Sequence, residues 1–267
     1  MRILITGASG HIGGVLATRL RDEHVIRGVD LSPPPADVSD ATGGDFVVGD
    51  CSDPAVAHRV VDGVDAVVHL AGIATETDLP AILSTHVETT AALLDAMVSH
   101  GVARMVYASS NHAVGMTPRC TLLTDDVPPR PDTFYGVGKV AAEALLALYA
   151  DRFGISSVAM RIGSFLERPE TRRGLSTWLS YEDCTRMIRA ALTADVDGVT
   201  AIYGISNNTD AWWDLEPGRA LGYHPRDDAA AFADSIPTRP EDDIEGARVG
   251  GPFATKEFHV PPFSEAP

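Results

Sequence analysis

Seven residues near the start of the chain constrain its fold more than any others. Gly7-Ala8-Ser9-Gly10-His11-Ile12-Gly13 carries glycine at every third position. A β-rich run, Arg2-Ile3-Leu4-Ile5-Thr6, stands directly before it, and a helical pattern over Ile12–Arg21 opens within it. A strand that turns into a helix over glycines leaves bare backbone N–H groups at the helix N-terminus, where anions bind. Gly7 permits the tight turn, Gly10 lets a pyrophosphate approach the backbone amides, and Gly13 lets the helix pack close to the sheet. A glycine trio alone denotes only a tight turn. Its place between a first strand and a first helix is what specifies dinucleotide binding.

The rest of the chain continues the alternation. Strands are expected at His24–Val29, Asp45–Val48, Ala66–Leu70, Arg104–Ala108, Ser156–Arg161 and Val199–Tyr203. Helices are expected at Pro54–Val61, from about His86 to Ser99, at Tyr135–Phe153 and at Tyr181–Thr193. This order predicts an α/β fold: a Rossmann-type doubly wound parallel sheet with helices on both faces. The strands read as nearly continuous apolar runs, as buried parallel strands do. Residues 31–44, beginning Leu-Ser-Pro-Pro-Pro, read as a polar connector. Residues from about 222 onward are acidic and rich in proline and glycine, and read as a segment that wraps the surface or frays.

Charge and cysteine usage restrict the partners. The formal net charge is −16, which disfavours nucleic acid and anionic membranes, since both need a basic footprint. Any anion site must therefore be local: a helix N-terminus, a backbone nest or one or two arginines. The N-terminus starts directly in a strand-like run, without the apolar stretch of a secretion signal. Cys51, Cys120 and Cys184 are far apart and odd in number, which argues against a disulfide framework or a zinc site and for a reducing, cytoplasmic setting. No metal-ligand spacing is present, so no metal is expected.

The cofactor end extends from the glycine turn, with His11 and Ile12, to the ends of the following strands. Asp30, followed by Leu31, ends the second strand. A carboxylate there binds the adenosine ribose hydroxyls and repels a 2′-phosphate, which favours NAD over NADP. Asp50 and Cys51 follow the third strand, where the adenine edge would lie, and Cys51 reads as a small packing residue. Leu70-Ala71-Gly72-Ile73 follows the fourth, where small residues let backbone meet the cofactor. Ile162 follows the sixth strand-like run on the same side.

The reacting end is marked by Tyr135-Gly-Val-Gly-Lys139. The whole sequence has two lysines, Lys139 and Lys256. Tyr135 and Lys139 share one face of a helix. An ammonium beside a phenol stabilises the phenolate and lowers the tyrosine pKa from about 10, giving a general base usable near neutral pH. Ser110 ends the fifth strand, 25 residues before Tyr135. Ligands in open α/β sheets sit at the carboxyl ends of strands, so its hydroxyl can reach both a substrate oxygen and the phenol. His69 lies in an apolar strand and reads as a satisfied core histidine. Trp212 and Trp213 read as core or subunit-contact residues.

The glycine turn, a serine after strand five and Tyr-x-x-x-Lys together resemble the extended short-chain dehydrogenase/reductase family, also described as NAD-dependent epimerases and dehydratases. The resemblance covers the chain to about residue 225. It implies that Tyr135 transfers the proton, that Lys139 lowers its pKa and holds the nicotinamide ribose, and that Ser110 orients the substrate hydroxyl. Ser109-Ser110-Asn111-His112, Arg161-Ile162-Gly163-Ser164, Leu175-Ser176-Thr177-Trp178 and Trp212-Trp213-Asp214 look like uronate dehydrogenases, which use NAD to oxidise C1 of galacturonate or glucuronate to an aldarolactone. That likeness implies that Asn111, His112, Ser164 and Arg173 hold the sugar. Arg173 is the natural partner of the C6 carboxylate, because a guanidinium fork grips a carboxylate in two places. It also implies self-association into a homo-oligomer. We divide the chain at 1–162, the NAD-binding core carrying Tyr135 and Lys139, and 163–267, a small substrate-binding part and tail packed as one unit with the core.

Three positions depart from the pattern. Ala74 stands where a serine contacts substrate, with Thr75 beside it to compensate. His86 replaces an asparagine that positions the active-site helices. Gly138 loosens the Tyr–Lys turn, and a glycine inside a helix costs roughly 0.5–1 kcal/mol. Other readings share much of this pattern. Trp178–Cys184 and Ser110–Gly115 also resemble an NAD-dependent glucose-6-phosphate dehydrogenase group, in which Arg172 and Arg173 would serve a phosphate. A nucleotide-sugar epimerase or dehydratase shares the core but needs a larger C-terminal lobe. A non-catalytic NAD-binding regulator has no need of Ser110, Tyr135 and Lys139 together.

Overall fold

The computed structural model describes residues 1–263. Its strands are β1 (Arg2–Thr6), β2 (Val25–Asp30), β3 (Phe46–Val48), β4 (Ala66–His69), β5 (Arg104–Ser110), β6 (Ser156–Ile162), β7 (Ser164–Phe165), β8 (Trp178–Leu179) and β9 (Val199–Gly204). Seven of them form one parallel sheet in the order β3-β2-β1-β4-β5-β6-β9. The order reverses beside β1, which places a crevice at the carboxyl ends of β1 and β4. Side chains alternate between two cores. Ile3 and Ile5 pack on one face of β1, and Leu4 packs on the other. Burial on both faces is why the strands carry unbroken apolar runs.

The main helices are α1 (His11–Leu20), α2 (Ala36–Thr42), α3 (Pro54–Val61), α4 (Leu79–Ile82), α5 (Thr89–His100), α6 (Phe134–Phe153), α7 (Gly174–Thr177) and α8 (Tyr181–Thr193). Two of the sequence expectations are corrected here. Residues 31–44 are not all connector, because α2 forms within them. It follows Pro35, ends on Gly43 in the left-handed conformation, and buries Val38 and Ala41. The helix expected to start at about His86 starts at Leu79 instead, with the Asp78 carboxylate accepting from the Ala81 amide. Between α4 and α5 the turns widen into a π-helical stretch, Leu83–Glu88, that buries His86.

A buried polar relay ties this helix to the sheet. The Thr6 hydroxyl accepts from the Leu70 and Ala71 amides and donates to His69 Nδ1 at 2.8 Å. His69 Nε2 then donates to the Thr90 hydroxyl, which donates to the His86 carbonyl. His69 is thus a satisfied core histidine, and burial pushes its pKa down to about 3. Every member of such a relay needs its partner, because an unpaired polar group in the core costs about 1–3 kcal/mol.

The tail does not simply fray. Past short turns, residues 247–262 run back across the carboxyl ends of the strands. Val249 is fully buried, its amide bonded to the Thr117 carbonyl. The Gly250 amide donates to the Gly115 carbonyl, and the Leu79 amide donates to the Pro262 carbonyl.

Candidate active site

The glycine turn is built as its spacing requires. Gly7 has φ +69°, and a Cβ there would lie 2.9 Å from the Ala71 nitrogen. A Cβ on Gly13 would lie 2.1 Å from the Gly7 carbonyl oxygen, so α1 could not approach the strand with any larger residue. These contacts open a cleft of about 500 Å³ lined by Gly7, Gly10, His11, Ile12, Gly13, Asp30, Leu31, Asp50, Cys51, Leu70, Ala71, Gly72 and Ile73. A dinucleotide fits these residues. The Asp30 carboxylate stands at the cleft, accepting from the Ser9 and Ser32 amides, and the N-terminal residues of α1, His11, Ile12 and Gly13, line the same cleft. Burial pushes the Cys51 thiol up to about 12, so it packs as a thiol.

A second cavity of about 290 Å³ shares His11, Ile12, Leu70, Gly72 and Ile73 with the first and adds Ser110, Tyr135, Lys139 and Ile162. Each reacting side chain arrives on a rigid element. Ser110 is the last residue of β5, and Tyr135 and Lys139 stand in the first turns of α6. That helix is capped twice: the Thr133 hydroxyl accepts from the Gly136 amide, and both Glu76 carboxylate oxygens accept from the Phe134 and Tyr135 amides at 2.8 Å. Glu76 was not among the sequence expectations. It comes from a loop 58 residues away, so no local spacing marks it.

Burial acts against the charged form of both members of the pair. Lys139 is buried, donates to the Ala108 carbonyl at 2.6 Å, and stacks over the Tyr107 and Tyr135 rings at 5.0 and 5.3 Å. Burial pulls its pKa down to about 7, with Glu143 pulling the other way. Tyr135 is raised above its ordinary value by burial, opposed by a hydrogen bond with Ser110. For Tyr135 the net direction is thus set by burial rather than by the neighbouring ammonium. Desolvation of both groups outweighs an ammonium that sits over the ring faces.

His86 lies edge-on to Tyr135 at 5.3 Å. Its Nε2 donates to the Ile73 carbonyl at 2.9 Å, and burial pushes its pKa down to about 3. It is therefore a neutral ring tying the β4 loop to the helix beside α6.

At the substrate end the expected residues lie close together, but two of them bond to the tail. The Asn111 amide donates to the Val249 carbonyl at 3.0 Å, and Arg173 Nη2 donates to the same oxygen. His112 Nδ1 lies 2.9 Å from both oxygens of Asp132, and its ring packs against Tyr135 and Phe253. The Ser164 hydroxyl pairs with Thr177 at 3.1 Å. Thr75 is exposed and lines neither cavity, whereas Ala74 lines both. The structure therefore places Ala74, not Thr75, at the cavity walls. Arg172 is exposed and reaches the Ala233 carbonyl at 3.5 Å, separately from Arg173. Trp212 and Trp213 are buried, as core residues. Asp132, Val249 and Phe253 were not anticipated.

A parallel α/β sheet with a dinucleotide cleft at its switch point, and serine, tyrosine and lysine where that cleft ends, defines a nucleotide-linked oxidoreductase. The model of the NAD dependent epimerase/dehydratase family matches residues 3–173, and the chain belongs to that family. It is 39% identical over 256 residues to a uronate dehydrogenase of Agrobacterium fabrum, covering 94% of this chain and 96% of the relative. It is 35% identical to an NAD-dependent glucose-6-phosphate dehydrogenase of Haloferax volcanii, covering 86% and 95%. Among solved structures it resembles a mutant uronate dehydrogenase from Agrobacterium tumefaciens complexed with NAD, with TM-score 0.89 and 36% identity over 97% of this chain and 99% of that one.

Proposed function

We propose that this chain is an NAD-dependent dehydrogenase that oxidises a hexuronate, galacturonate or glucuronate, at C1 to the aldarolactone. The observation that carries the reading is one cavity: Ser110, Tyr135 and Lys139 converge in a space continuous with the dinucleotide cleft. NAD, when bound, would supply the hydride acceptor and the positive charge of its nicotinamide. Ser110 donates to the C1 oxygen and aligns it on the phenol. Tyr135, ionised, takes the C1 hydroxyl proton as the C1–H bond breaks with its electron pair, leaving a C1 carbonyl within the ring, which is a lactone. Lys139 supports the phenolate through its positive charge and would hold the nicotinamide ribose of the cofactor. Arg173 takes the C6 carboxylate, the local positive charge that a protein of net charge −16 requires.

The glucose 6-phosphate reading would pair Arg172 with Arg173, and Arg172 instead turns outward to Ala233. Of the part from 163 to 267, the described residues 163–263 would form the substrate-binding part, joined to the core through β9. No helix among the described residues is long and apolar enough to cross a membrane, and the dispersed cysteines support a cytoplasmic setting. Val98 on α5 and Leu148 and Phe153 on α6 are exposed apolar groups that support a homo-oligomer.

The deciding assay is NADH formation with galacturonate, glucuronate, glucose 6-phosphate and arabinose side by side. Signal with a uronate is expected, and none with either uronate would overturn the reading. Tyr135→Phe should abolish turnover and leave NAD affinity unchanged in calorimetry. Activity near the wild-type level in that variant would remove Tyr135 from its role.

A further inference from the structure

The most unusual feature outside the reacting trio is a carboxylate enclosed by two distant glycines. The Asp132 side chain has no solvent exposure. A Cβ on Gly115 would lie 2.2 Å from its carboxyl carbon, and a Cβ on Gly250 would lie 1.6 Å from its Oδ2. Both glycines have ordinary right-handed helical dihedrals, so neither is needed for its backbone conformation. They are needed for space. Gly115 belongs to the turn after β5, and Gly250 belongs to the tail segment that crosses the substrate end.

A buried carboxylate needs paired partners. Those of Asp132 are His112 Nδ1, at 2.9 Å from each oxygen, and the Thr133 hydroxyl at 3.2 Å. Thr133 is also the cap of the helix carrying Tyr135. The His112 bond sets the proton on Nδ1, which leaves Nε2 without a protein partner among the described residues. The tail docked against Asp132 in turn delivers the Val249 carbonyl to Asn111 and Arg173. It also lays Gly251 against the guanidinium, where a Cβ would lie 2.5 Å from Nε.

We propose that Asp132 is a positioning residue of the substrate end: it docks residues 247–254 as one wall of the sugar site and, through them and His112, holds Arg173, Asn111 and His112 where the sugar meets them. The proposal rests on the dehydrogenase reading for its substrate but not for its geometry. Asp132 touches no reacting atom. It acts through the ring of His112 and through the tail.

Two variants separate charge from space. Asp132→Asn keeps the volume and removes the charge. Gly250→Ala keeps the charge and pushes the tail off it. Amide hydrogen exchange over 247–254 should rise at least about tenfold in Gly250→Ala, because the Val249 and Gly250 amides lose the Thr117 and Gly115 carbonyls. In both variants KM for the uronate should rise by about tenfold or more, equivalent to about 1.4 kcal/mol, with turnover at saturation within about threefold of wild type and NAD affinity by calorimetry unchanged. A residue needed only for folding would instead lower NAD affinity and the thermal midpoint together, and that result overturns the proposal. So does an unchanged uronate KM in both variants. If Gly250→Ala does not fold, Asp132→Asn decides through the same split between KM, turnover and NAD affinity. If the wild type oxidises no uronate, the functional reading has failed, and the exchange measurement still decides whether Asp132 and Gly250 hold the tail.

Discussion

Lys139→Met tests the electrostatics of the site without needing a substrate. The wild-type ammonium is buried, and burial moves its pKa from 10.5 to about 7. The folded value lies below the unfolded one, so between these limits the unfolded chain holds more protons than the folded chain. Stability from this group therefore rises with pH through that window and is lowest below about pH 7. Across that span from pH 6 to pH 9, Lys139 adds stability on the order of 3 kcal/mol to the wild type. Methionine has similar length and does not titrate, so the variant lacks this gain. Urea unfolding of cofactor-free wild type and variant at pH 6 and pH 9 isolates the effect, because titrations common to both proteins cancel in the difference. The variant's advantage over wild type should be larger at pH 6 by about that amount. Parallel pH dependences would refute the reasoning and mean that the Ala108 carbonyl and Glu143 compensate the buried charge fully.

Two further substitutions address the helix that carries the pair. Glu76→Ala removes a carboxylate that accepts from two amides of the first turn, so thermal or urea unfolding should show a loss of about 1–2 kcal/mol, with turnover reduced and NAD affinity retained. A variant as stable as wild type would show that Thr133 suffices as the cap. Gly138→Ala should lower stability by about 1–3 kcal/mol through overpacking, although alanine is favoured over glycine in a helix by about 1 kcal/mol. A higher melting temperature would mean that Ile82 can turn aside.

What was legible in the sequence was local. Gly7, Gly10 and Gly13 sit within one turn, the strands declare themselves as apolar runs, and Tyr135 and Lys139 share a helix face, so the cofactor cleft and the reacting cavity follow from short stretches of chain. Helix α2 was hidden because seven mostly polar residues bury only one side. Glu76, Asp132 and Val249 were hidden for a different reason. Each acts on residues far away in sequence, and a lone Glu, Asp or Val has no spacing to announce it. The burial that raises Tyr135 could not be read in advance, because adjacency of charge is visible in a sequence and desolvation is not.

His86 and Gly138 looked like two separate departures, and the structure makes them parts of one arrangement. The imidazole of His86 occupies the space beside Gly72, where φ is +146° and a Cβ would lie 2.4 Å from His86 Cε1. On the other side α6 comes so close that a Cβ on Gly138 would lie 2.6 Å from Ile82 Cγ2 and 3.3 Å from His86 Cβ. Glycine at 138 is what admits α6 to this distance from the π-helical stretch carrying His86. The close approach sets the His86 ring edge-on to Tyr135 while its Nε2 holds the Ile73 carbonyl at the cofactor loop. The helix-propensity cost of Gly138, roughly 0.5–1 kcal/mol, is thus set against contacts that join the cofactor loop, the π-helical stretch and the catalytic helix. The looseness a glycine suggests in an isolated helix is absent here, because Gly138 is itself buried under that contact.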